Sequence, residues 1–255
     1  MKMMKNNLKI YYCVSCVLIL LCFFSVTLYP IYLGTEISID SNKWSNFGSY
    51  VGGVIAPLLG LLAFVGVLIS ITNQNRENQK TERANRIHAT ENRIIKQIEF
   101  HHNICNNIKI PYNIKRTKFK EGRISFEFLF EKYLKTFFKE IEYSNSHLDE
   151  EQKIDNAFSK LYNKEGQRFG FYFRNLFYLM KYIDESEGID KIHYSRLVRA
   201  QLSKSEIQML MYNCIFKKGK KFKIIVETYG LLNGIDKTEM IKPEHKELFA
   251  NSAFE

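Results

Sequence analysis

The residues best equipped for chemistry fall in a few short stretches. Arg83 and His88, in RANRIH, match the spacing of the arginine–histidine pair that some all-helical ribonucleases use, but they lie on a polar segment where a concave site is not expected. Arg174 and Asn175 have no histidine at the matching distance. His101, His102 and Cys105 offer soft ligands on one helix face. A structural zinc needs four ligands and no second pair lies nearby, so these read as surface or packing residues and no metal is expected. Cys13 and Cys16 have redox spacing but sit in an apolar run without a strand–helix context, so no disulfide is expected either. Phosphate loops, nucleophile elbows, zincin motifs and dinucleotide fingerprints do not occur in the sequence. No catalytic residue is assigned, no cofactor is expected, and an enzyme is the weaker reading.

YSRLVRAQLSKSEIQMLMYNC, residues 194–214, resembles the opening of a DNA-reading helix pair. The polar recognition helix is missing, because MYNCIF and a lysine loop, KKGKK, follow instead. The stretch parses as one helix through IHYSRLVRAQL, then Ser203 as an N-cap with Glu206 completing a capping box for IQMLMYNCIF. Cys214 reads as a small core residue.

The apolar fraction, 45%, is ordinary but unevenly spread. Two uncharged runs, residues 10–33 and 47–72, are each long enough to cross a hydrocarbon core of about 30 Å as a helix. The first is too long for a signal peptide and carries Pro30 in place of a small-residue cleavage site. The chain has a formal net charge of +10, with Lys2, Lys5 and Lys9 before the first run and Arg76, Lys80, Arg83 and Arg86 after the second. The loop 34–46 has only Lys43 against Glu36 and Asp40. By the distribution of positive charge both termini face the cytoplasm, and Trp44, Tyr29, Tyr32 and Tyr50 fall near the outer interface. In the second run Gly48, Gly52, Gly53 and Gly60, with Pro57 among them, form a seam of small residues that packs either against the first span or against another copy.

The sequence thus predicts an all-α protein: a basic N-terminus (1–9), transmembrane helices at 10–33 and 47–72 around a short periplasmic loop (34–46), a juxtamembrane helix (73–110) and a helical cytosolic domain (111–255). The juxtamembrane segment has a thin apolar stripe, Ile87, Ile94, Ile95 and Ile98, with Pro111 as its stop. ISFEFLFEKYLKTFFKEIEY is a strongly amphipathic helix. SHLDEEQKIDNAFSKLYNK reads as a shorter helix started at Ser146, and RFGFYFRNLFYLMKYIDES as a separate, very aromatic one. FKIIVETYGLL suits a helix or a strand, and the tail PEHKELFANSAFE reads as only partly ordered. The basic cytosolic part is suited to anionic lipid and equally to RNA or DNA, which charge alone does not separate.

Three segments carry a resemblance: WSNFGSYVGGVIAPLLGLLAFVGVLISI, FYFRNLFYLMKYID, and YSRLVRAQLSKSEIQMLMYNC with the following GKKFKIIVETYGLL. From Trp44 to about Leu232 the chain resembles the phage abortive infection family of the AbiC type. The resemblance implies a bacterial inner-membrane protein in anti-phage defence, acting as a toxin effector that arrests or kills the infected cell. The two apolar runs make it multi-pass with membrane lipid as a partner, and the glycine seam leaves a homo-oligomer and packing within one chain equally open. Two-span proteins of similar plan serve as effectors of retron systems, which adds a reverse transcriptase with its RNA–DNA product as a conceivable partner. The alternatives are a membrane-tethered ribonuclease-like toxin and an accessory scaffold. On the matching positions Tyr172, Arg174, Asn175, Arg199, Gln201, Ser203, Tyr212 and Asn213 are expected to form a polar cluster between helices, with Asp184, Glu206 or Asn213 as arginine partners.

Overall fold

The computed structural model describes residues 40–145 and 147–255, together with residues 16, 17, 19, 20, 23, 24 and 27, which are helical. The expected first span, 10–33, therefore lies largely outside the described residues, as do the N-terminal lysines, Cys13, Pro30 and Ser146. Two compact units divide the chain, Met1–Glu82 and Arg83–Glu255.

Helix α1 runs over Ser41–Asn106 and continues through Pro57. It is the one helix among the described residues that is long and apolar enough to cross a membrane, and none of its apolar window is buried. In the first unit Phe64, Leu61, Leu59 and Val67 are more than half exposed.

The second unit buries its apolar side chains around one core. The last turns of α1 supply Ile94 and Cys105 to it, while Ile95 is exposed. The helix ends at Asn106, earlier than Pro111, which lies instead in a short antiparallel hairpin of β1 (Lys109–Pro111) and β2 (Phe119–Glu121), with Ile110 opposite Lys120. Asn113 nucleates its turn, its Oδ1 accepting from the backbone N–H groups of Thr117 and Lys118. The fold is thus helical except for this one hairpin among the described residues.

The amphipathic segment forms α2 (Ile124–Phe128), a π-helical turn (Leu129–Leu134) and α3 (Lys135–Ser144). Phe126, Phe130, Leu134 and Phe138 are buried at the spacing its apolar pattern requires.

Two expected helices are one. Helix α4 spans Glu150–Glu185, and its N-cap is Asp149, whose carboxylate accepts from Gln152 N–H. The polar run around Gly166 suggests a break, but Gly166 and Gly170 make room for the Tyr162 ring: a Cβ at Gly166 would come within 2.8 Å of it. The glycines thus serve packing within a continuous helix, at a backbone cost of about 1 kcal/mol each.

Helices α5 (Lys191–Ala200), α6 (Lys204–Ile215) and α7 (Lys220–Thr228) complete the bundle. The Ile-Ile-Val run of α7 is helical. Every residue of α6 from Glu206 to Ile215 is buried. Gly219 follows because nothing larger fits there: a Cβ would lie 1.8 Å from the Asn213 carbonyl oxygen.

The tail departs from expectation, because it is ordered. Short 3-10 turns at Pro243–Leu248 and Asn251–Phe254 bury His245, Phe249 and Ala253, and Leu232 N–H donates to the Ala253 carbonyl. Polar composition concealed three anchors spaced four residues apart.

Candidate functional site

The polar centre of the second unit is Glu206, at the start of α6. Its backbone N–H donates to Ser203 Oγ (3.4 Å) and its carboxylate accepts from Ser203 N–H (2.7 Å), which closes the capping box expected there. The other carboxylate oxygen accepts from the Tyr172 hydroxyl of α4 at 2.7 Å and from the Cys105 thiol of α1 at 3.2 Å. Arg123, just before α2, places Nε 3.6 Å from the carboxylate and donates to the Gln201 carbonyl at 2.7 Å. One buried carboxylate thus ties four helices together. Such a charge is tolerable in a core only because its oxygens are filled with donors and a cation stands beside it.

The Tyr172 ring lies between those of His101, centroids 4.4 Å apart, and Phe126, 4.5 Å apart. His101 Nδ1 meets Asn175 Oδ1 at 3.0 Å, while its Nε2 is buried without a hydrogen-bond partner among the described residues.

The thiol, phenol and imidazole of this cluster are held neutral. Burial, then the nearby Glu206 charge, pushes the Cys105 thiol up to about 12. The same two causes raise the Tyr172 phenol well above its ordinary value. Burial lowers the His101 imidazole, and the Asn175 hydrogen bond only partly offsets it. A neutral thiol, a neutral phenol and a saturated carboxylate supply neither nucleophile nor free base near pH 7. This arrangement locks helices together.

A second buried cluster holds the tail. Tyr212 of α6 bonds His245 Nδ1 at 3.0 Å and accepts from Ile241 N–H at 2.7 Å, while His245 Nε2 meets Glu150 at 3.2 Å. For Glu150 burial alone would raise the pKa, but hydrogen bonds from Lys153, His245 and Lys242 outweigh it and bring it to about 2. In a third cluster Glu165 takes a hydrogen bond from Arg116 at 3.2 Å and has Arg168 Nε 3.1 Å from its other oxygen, without hydrogen-bond alignment.

Of the eight nominated residues, the structure brings Tyr172, Asn175 and Ser203 together around Glu206 and His101. The others stand apart. Arg174 is exposed and needs no buried partner. Arg199 donates to the Gly230 carbonyl at 3.0 Å, and Asp184, a candidate arginine partner, instead accepts from the Tyr229 hydroxyl at 2.7 Å. Gln201 contributes its backbone to the cluster while its side chain is exposed. Tyr212 belongs to the tail clamp, and Asn213 packs under Gly219.

His101 and Cys105 join the cluster through packing and hydrogen bonds, whereas His102 is exposed, and no group of three metal-ligating side chains occurs among the described residues. His88 pairs with Glu91 on an exposed face of α1. Gly48, Gly52, Gly53 and Gly60 have open space where a Cβ would stand. Sequence reasoning overlooked Arg123, Glu150 and His245. The one available signal was Glu206, visible as a cap but not as a hub.

A helical domain closed by buried polar locks, in a chain that also holds a bilayer-length apolar helix, defines the class. Residues 164–240, which run from within α4 through α7 and the turn after it, match the model of the family described as "Putative phage abortive infection protein". Over these residues the chain is similar to that family. No curated protein and no solved structure matches the chain.

Proposed function

We propose that this protein is a membrane-anchored effector of abortive infection, held in a bacterial inner membrane with its helical domain in the cytoplasm. The observation that carries the reading is the presence, in one chain, of an abortive-infection domain at 164–240 and an unburied apolar helix stretch in α1. The family match supports a role in phage defence. The membrane as target is favoured by the state of the polar cluster, whose carboxylate, thiol and phenol are buried and satisfied by one another and so offer no accessible base at that place.

In this reading the helical domain receives the infection cue, directly or through a partner such as a reverse transcriptase with its RNA–DNA product, and association of the Gly48–Gly60 seam between copies disturbs the membrane. The test follows membrane potential and entry of an impermeant dye through infection, with and without the protein. Depolarisation that depends on the protein and precedes lysis is expected, and leucine at Gly52 and Gly53 is expected to abolish it while leaving insertion intact. Arrest behind an energised membrane would sink the reading and direct attention to cut RNA.

A further inference from the structure

Within the matched segment, α4 presents Phe171, Arg174, Tyr178 and Lys181 at three- and four-residue steps, and so on one face of the helix. Phe171 is 39% and Tyr178 61% exposed, and Arg174 between them is exposed. Helix α7 packs beside α4 through Phe222 and Phe177, ring centroids 5.5 Å apart, and exposes Lys221 and Ile224, the latter at 70%. Arg174 and Lys221 make neither hydrogen bonds nor ion pairs among the described residues. The carboxylate on the α4 face is Glu185, taken by Lys181 at 3.4 Å.

Uncompensated cations alternating with exposed rings serve no purpose for the domain in isolation. A basic helix face with aromatic and aliphatic side chains at its level is what an anionic bilayer surface binds, the cations meeting phosphates and the rings entering the headgroup–acyl boundary. A single strand of nucleic acid needs a groove that tracks its backbone and rings on which bases stack; the face is built on the outside of two helices, and Ile224 offers no stacking platform. We propose that the Phe171–Arg174–Tyr178 face of α4, with Lys221 and Ile224 of α7, docks the domain on anionic phospholipid headgroups. The proposal rests on the anchored reading, since a tether converts a weak surface affinity into a local one.

Trp44 is the sole tryptophan, so the full chain carrying Trp44→Phe and Tyr178→Trp has one reporter on this face. It is reconstituted into vesicles of phosphatidylcholine alone or mixed with phosphatidylglycerol, some with brominated acyl chains. The expected result is a blue shift and about twofold stronger bromolipid quenching in the anionic vesicles, both lost with Arg174→Glu and Lys221→Glu. They are also lost, in the unsubstituted face, at about 1 M salt, where the Debye length falls to about 3 Å. Identical spectra in the two lipids, from a chain that resists carbonate extraction, would overturn the docking while sparing the anchor. Extraction by carbonate would remove the anchor itself, and the docking with it. A reporter that responds to a single-stranded oligonucleotide in neutral vesicles but not to phosphatidylglycerol would overturn the lipid assignment in favour of nucleic acid.

Discussion

The two units treat the same kinds of residue in opposite ways. In the first, Phe64 is 59% and Leu61 61% exposed, and α1 there carries no core. In the second, Phe158, Phe130 and Leu134 are wholly buried, and the buried carboxylates of Glu206 and Glu165 are held by polar and cationic partners. An apolar side chain stabilises a fold only where water is excluded from it by other parts of the protein, so the second region is held by its own core, while the exposed apolar stretch of the first is what the proposed anchor requires.

Mutation should read this difference directly. Phe158→Ala removes a ring that contacts Phe216 at 5.1 Å and Phe169 at 6.3 Å, and is expected to cost about 3–5 kcal/mol. Phe64→Ala, in the same detergent-solubilised chain, should leave the helical unfolding transition in place. Equal losses by thermal circular dichroism would break the comparison.

Next in size is the Glu206 lock. Glu206→Gln keeps the shape but weakens three charge-assisted bonds, for an expected loss of about 2–3 kcal/mol. The same lock shields Cys105: with the thiol at about 12, only about one molecule in ten thousand is thiolate at pH 8. Mapped alkylation should therefore spare Cys105 in the native chain and reach it faster in the variant. Labelling of Cys105 at one rate in the native protein and the variant would contradict the lock.

How much of this was legible in sequence depended on range. The capping box at Ser203 and Glu206 and the amphipathic run from Phe126 to Ile141 are local patterns and appear as written. Glu206 as a hub was not legible, because its donors Cys105 and Tyr172 lie 101 and 34 residues away in the chain. The tail was misjudged for the same reason: His245 is held by Tyr212 and Glu150, and no pattern within PEHKELFANSAFE announces either. The placement of Arg174 failed differently. The expected polar cluster between helices called for its burial, but on α4 it is exposed, away from the core residues Phe173, Leu176 and Met180.

The tail clamp predicts a pH dependence of stability. Glu150, held at about 2 against an ordinary 4.5, stabilises the fold above pH 4.5, and that stability is lost as pH falls towards 2. The imidazole of His245 is lowered mainly by burial, so it also favours the fold above its ordinary 6.5 and opposes it below. Both signs agree, and the melting temperature should fall as pH drops from about 7 to about 3. Because Glu150 is partly solvated, its share is of the order of 1 kcal/mol. Glu150→Gln should flatten the lower half of the profile, and an unchanged profile would show that the clamp does not couple to folding.

The smallest effect on stability should accompany one of the largest on function. Arg174 has no partner to lose, so Arg174→Ala is expected to shift stability by no more than about 0.5 kcal/mol. Arg199→Ala instead frees the buried Gly230 carbonyl and should cost about 1 kcal/mol. If both substitutions abolish protection against phage at normal protein levels, only Arg174 does so with an intact melting curve, because its work is done on a surface outside the fold. Protection that survives Arg174→Ala would mean the exposed face of α4 is dispensable, and the signal would then have to pass through the buried locks alone.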